Sequence, residues 1–138
     1  MSGLARTGLS IDSELLARFD IAIARKRYTN RSEAVWDLIR DYLVAEEADS
    51  NKMVVGTLTI VYDHHQPNLT EKLVDSQHHA GGTVLAATHV HLDHHNCLEV
   101  VIMEGRSSSI RGVADHIISL RGVKHGRLVI STTGKDLK

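Results

Sequence analysis

Cysteine is nearly absent from this chain: Cys97 stands alone among 138 residues. A single thiol closes no intrachain disulfide, so its use is confined to a core side chain, a nucleophile or a metal ligand. Also missing is any run of about eighteen apolar residues, which excludes a membrane-spanning helix, and the N-terminal MSGLARTGLS lacks the apolar core of a secretory signal. The expectation is a cytoplasmic protein that makes no use of a membrane. No Gly-rich phosphate loop of the Walker type occurs, nor an internal repeat, nor a low-complexity segment beyond paired histidines. Charge of one sign is not in excess either: 16 Lys and Arg against 17 Asp and Glu leave a net charge of -1, which argues against a uniformly basic nucleic-acid binder. What is present, 42% hydrophobic and 24% charged residues, is the balance of a globular protein long enough for one ordinary domain or two small ones.

The neutral average hides a gradient. Residues 1–31 carry Arg6, Arg18, Arg25, Lys26, Arg27 and Arg31 against Asp12, Glu14 and Asp20, whereas residues 32–50 hold six acids and Arg40 alone. The basic end is the one suited to phosphate. Here Thr7 to Ile11 alternates as a short strand, with Leu9 and Ile11 on one face and Arg6, Gly8 and Ser10 on the other. Asp12 suits an N-cap for a helix with Leu15, Leu16, Phe19 and Ile23 at helical spacing. Asn30-Arg31-Ser32-Glu33 has the form of a capping box, followed by a stripe of Ala34, Val35, Leu38, Ile39, Tyr42 and Leu43. One isolated strand cannot satisfy its own backbone, nor can so short a unit bury both stripes, so it needs a partner. Two copies pairing their strands would form a ribbon that fits the DNA major groove. In this arrangement, and in YTNRSEAVWDLIRDYL, the segment resembles the ribbon-helix-helix repressors. The resemblance implies a phosphate held at the second helix's N-terminus beside Asn30, Arg31 and Ser32.

The polar, aperiodic stretch Glu46 to Lys52 reads as a linker, which divides the chain into an N-terminal domain (1–48), a connection (49–52) and a second domain (53–138). Met53 to Tyr62 alternates as a strand. Asn68 to His79 is helical and ends at Gly81-Gly82, where a C-cap is expected. Thr83–Leu92 and Cys97–Met103 form a hairpin with Asp93-His94-His95-Asn96 at its tip, Ser107–Leu120 is a helix, and Val123–Thr132 a last strand. The order βαββαβ predicts an α+β, ferredoxin-like sandwich of the ACT type, four antiparallel strands with two helices on one face.

Within that hairpin, THVHLDHHNCLE packs four histidines and the cysteine into a dozen residues. Strand residues i and i+2 share a face about 7 Å apart, so His89 and His91 converge, and the hairpin returns Cys97 beside them. Two imidazoles and a thiolate suit Ni(II), Cu(II) or Zn(II) and suit Mg or Ca poorly. Spacing alone leaves open which histidine completes a four-coordinate site, since His64, His65, His78, His79, His94 and His95 are all candidates. Glu99 lies two residues past Cys97 on the same face, placed to orient a ligand histidine. Taken singly, two histidines on a strand suit a polar face and a lone cysteine suits a core; taken together they favour a metal. His116 and His125 are expected to be structural.

SQHH, HVHLDHHNCLE and RGVKHG, following a ribbon-helix-helix pattern, resemble the nickel-responsive repressor family over nearly the whole chain. The resemblance implies one Ni(II) per subunit in a square-planar site of three nitrogens and one sulfur. His89, His91 and Cys97 would come from one subunit and His78 from another across a tetramer interface. It implies a homotetramer built as a dimer of dimers, bound to a palindromic operator in double-stranded DNA and repressing nickel-uptake genes. Arg6, Gly8 and Ser10 match its base-facing positions, and Gly8 departs from the polar side chain common there. It also implies a possible second cation near Glu33 and Asp37.

Two rivals remain at this level. Cys97 with a neighbouring histidine and Asp93 could serve as nucleophile, base and orienter, although i, i+2 histidines suit chelation better than a relay. A metal-storage protein would use the histidines but would have no need of the N-terminal ribbon.

Overall fold

A computed structural model of the chain describes residues 3–80 and 83–138. They form two compact units that divide between Arg40 and Asp41. The expected C-cap at Gly81-Gly82 lies outside the described residues.

In the first unit, α1 (Ser13–Arg25) starts where the Asp12 carboxylate accepts the Leu15 N–H at 2.9 Å. Helix α2 (Arg31–Asp49) opens on a variant of the expected box. Asn30 Oδ1 accepts the Glu33 N–H at 3.0 Å, while Glu33 Oε2 reaches back one residue further, to the N–H and hydroxyl of Thr29. Asp20 and Arg31 tie the two helices by a bidentate pair, both bonds 2.8 Å. The strand expected at residues 7–11 does not form within one chain: the segment is exposed and unpaired, as follows for a strand without a neighbour to bond. Little of this unit is buried. Ala34 is the sole buried residue on either helix, and Leu9, Leu15, Leu38 and Ile39 all stand more than half exposed.

The second unit has the expected order. Strand β1 (Met53–Asp63), α3 (Leu69–His78), β2 (Val84–His91), β3 (Asn96–Arg106), α4 (Ser107–Ile118) and β4 (Val123–Ser131) build an antiparallel sheet ordered β2-β3-β1-β4. Alternation decides the core. Val54, Leu58, Ile60 and Tyr62 of β1 and Cys97, Val101 and Met103 of β3 face Leu69 and Leu73 of α3 and Ile110, Ala114 and Ile117 of α4. Helix α4 sits close because Gly56 and Gly126 have no side chains: a Cβ at Gly126 would lie 2.5 Å from Ile118 Cγ1, and one at Gly56 2.8 Å from Ile110 Cγ2. Among the described residues of this unit the other sheet face is covered by no second layer, and Val90 and Val129 there are 46% and 52% exposed. Helix α3 is entered through Asn68 in the left-handed region (φ 64°) with no side-chain cap. Among the described residues no helix is long and apolar enough to cross a membrane.

Candidate metal centre

The register of the hairpin determines what its histidines meet. Cys97 lies opposite His91 on β2 and opposite Tyr62 on β1, and Glu99 lies opposite His89. All five side chains therefore project from the helix-covered face, at one end of the sheet. Strand β2 is an edge strand, exposed along most of its length, so its histidines stay open to solvent while Cys97 on the neighbouring strand is fully buried.

Cys97 Sγ is 3.2 Å from His91 Nδ1. The rings of His89 and His91 are centred 4.9 Å apart. Where β1 ends, the His64 N–H donates to the His95 carbonyl at 2.7 Å, and this draws the His64 ring to 5.3 Å from that of His91. His64, His91 and Cys97 present donor atoms all within 4.8 Å of one another. Two imidazole nitrogens and a sulfur at that spacing fit a borderline-soft ion.

Polar partners hold His89. The Tyr62 hydroxyl lies 2.9 Å from its Nδ1 and Glu99 Oε1 lies 3.7 Å away. Burial first, then the nearby charges of Glu99 and Cys97, push the Tyr62 phenol up to about 12, so it remains a donor at neutral pH. The second oxygen of Glu99 accepts from Gln77 Nε2 at 2.6 Å, which ties the last turn of α3 to the strand. His78, next along, is exposed at the end of α3 and stands outside the donor group of its own chain. His79 bonds the Asp75 carbonyl through Nδ1.

Residue spacing missed Tyr62 and Gln77, and it left His64 as one of several candidates without placing it beside His91. A signal existed for two of them: Tyr62 follows Leu58 and Ile60 in strand parity, and His64 follows Tyr62. Asp93, considered as an orienter for Cys97, instead shapes the hairpin tip. Its carboxylate accepts from the Asn96 side chain and from the N–H groups of His95 and Asn96, and these bonds lower it to about 2.

At the other end of the chain, Arg6, Gly8 and Ser10 lie on the exposed segment before α1, and Asn30, Arg31 and Ser32 at the exposed start of α2. Asn30 serves as the cap, and Arg31 is engaged by Asp20. Glu33 accepts from Thr29, while Asp37 accepts from the Tyr28 hydroxyl and, at 2.7 Å, from Arg40.

A ferredoxin-like sheet whose edge gathers imidazoles around a buried thiol, joined to a helical unit with bare apolar stripes, defines a metal-binding α+β protein of two parts. The chain belongs to the nickel-responsive regulator family: the model of the NikR C-terminal nickel binding domain matches residues 55–131. A member of the same family from Solibacter usitatus is 56% identical over 139 residues, covering 100% of both chains. One from Pyrococcus furiosus is 48% identical over 136 residues, covering 98% of this chain and 99% of its own. Among solved structures, an uncharacterised protein of Thermotoga maritima superposes with a TM-score of 0.51 at 12% identity, over 57% of this chain and 98% of that one, a likeness of fold alone.

Proposed function

We propose that this chain is a cytoplasmic, DNA-binding transcriptional regulator that responds to Ni(II) and represses nickel-uptake genes. The observation that carries the reading is the 3.2 Å approach of Cys97 Sγ to His91 Nδ1, with His89 and His64 alongside, inside a segment matched by a nickel-binding domain. One ion per chain would be held by His89, His91 and Cys97 together with His78 of a second chain, in a plane of three nitrogens and one sulfur. The exposed position of His78 suits a ligand given to a neighbour. A planar set favours Ni(II) or Cu(II) over Zn(II), which prefers a tetrahedron.

Bare apolar surface supports the assembly. The stripes on α1 and α2 suit a second copy, with residues 7–11 pairing as a ribbon, and the open sheet face suits another pair, giving a dimer of dimers. Arg6, Gly8 and Ser10 would then face bases of a palindromic operator, and Asn30, Arg31 and Ser32 a phosphate. Glu33 and Asp37 are carried as a second cation site, which would have to share oxygens already bonded to Thr29, Tyr28 and Arg40. Because ligand ordering regulates only by favouring one state, the metal would act by fixing the separation of the two ribbons.

A titration of the reduced apo protein with Ni(II), followed by absorption, tests the centre. A thiolate-to-nickel band saturating at one ion per chain and absent from Cys97→Ser is expected; octahedral-type spectra indifferent to Cys97 would sink the reading. The closeness of His64 favours a second ligand set, confined to one chain. His78→Ala and His64→Ala separate the two: loss of the planar spectrum in the first alone supports the shared site.

A further inference from the structure

Residues 50–52 join the last turn of α2 to β1, and their polar composition suits a slack tether. Their bonding is that of a clamp. Asn51 occupies the left-handed region (φ 54°), which asparagine tolerates better than most residues. Its Oδ1 accepts the Ser108 N–H at 2.8 Å, and its carbonyl accepts from Arg106 Nη1 at 3.3 Å. The Ser107 hydroxyl, nearly buried, donates to the Ala48 carbonyl at 2.6 Å, and the Ser107 N–H donates to the Lys52 carbonyl at 3.3 Å. On the other side, Ser50 and Lys52 donate to the carbonyls of Glu46 and Glu47. Helix α4 has no cap of its own, since its N-cap residue Arg106 supplies no side-chain acceptor. Asn51 thus does for α4, from a distant part of the chain, what a local cap does elsewhere. Helix α4 is in turn locked to the sheet by buried Ile110, Ala114 and Ile117.

We propose that Asn51 is a positioning residue that fastens the end of α2 to the first turn of α4, making residues 46–52 a strut through which ordering of the metal-binding sheet reaches α2. This rests on the DNA-regulator reading for its purpose, while the clamp itself is a property of the second unit. Slack between sensor and reader would dissipate the coupling; a capped, hydrogen-bonded junction transmits it.

The test uses the full-length protein as wild type, Asn51→Ala, Asn51→Gly and Asn51→Asp. Glycine keeps the backbone conformation and removes the acceptor; aspartate keeps both and serves as the conservative rescue. Amide hydrogen exchange of residues 46–52 and 107–110 is expected to quicken about fivefold in the alanine and glycine variants, the size of a lost cap, and to return in the aspartate variant. The nickel absorption band should be unchanged in all four. The gain in DNA affinity produced by Ni(II), measured on duplexes enriched from a random pool with the wild type, should shrink about fivefold in the same two variants. Equal exchange in wild type and Asn51→Gly overturns the clamp. Faster exchange with an undiminished nickel-dependent gain overturns the strut. Wild-type protein that binds no DNA in either state overturns the regulator reading instead, and exchange alone then decides the clamp.

Discussion

Asp93 shows how a residue's chemistry is set by what it touches. Its carboxylate is taken up by the Asn96 side chain and by two backbone N–H groups, which hold it at about 2 against an ordinary 3.8. A carboxyl depressed by folding stabilises the folded chain above its unfolded value and loses that contribution as pH falls through its folded one. Asp93→Asn, an imitation of the protonated form, is expected to lower the Tm at neutral pH. The gap from wild type should close as pH approaches about 2, a trend that thermal circular dichroism would follow. No such closing would mean that the tip owes nothing to the charge. At this scale the sequence was legible where strand parity applies: it put His89, His91, Cys97 and Glu99 on one face, as their register has it. His64 was harder to read, since parity points to its face but it lies just past β1, and its ring is positioned by a backbone bond to the distant His95.

Elements follow their punctuation. Asp12 and Asn30 cap α1 and α2 because short polar side chains reach the orphan N–H groups of a first turn, and that chemistry is written in the sequence. The entry to α3 through a left-handed Asn68, and the capping of α4 by Asn51, are not, because each depends on where the chain has come from. The closeness of α4 to the sheet belongs to the same class. Gly126→Val would drive a branched side chain into Ile118, and overpacking of that kind costs about 1–3 kcal/mol. Urea denaturation of the second unit is the measurement, and a loss within error of zero would show that α4 can back away. Truncation from the helix side, Ile110→Ala, should cost about 2–5 kcal/mol by opening a cavity against β1.

For the whole molecule, the surfaces a single chain leaves uncovered carry as much information as the surfaces it buries. If the proposed tetramer forms through the open sheet face, a charge there, Val129→Glu, is expected to shift sedimentation from tetramer toward dimer while leaving the far-UV spectrum unchanged. An unaltered tetramer would place that interface elsewhere. The ferredoxin-like order was legible because six alternating or helical segments admit few topologies. The N-terminal ribbon stays a proposal that rests on the bare stripes of α1 and α2, since a single chain cannot form it. One consequence concerns which signals such a molecule ignores. Cys97 has no accessible surface and no second thiol in the chain to close upon. Peroxides and alkylating agents act on exposed thiolates, so the sulfur is insulated from oxidative stress for as long as the sheet stays shut. If Cys97 is a ligand as proposed, the same shielding would set a tempo: an arriving ion would meet the exposed edge histidines before it met the buried sulfur.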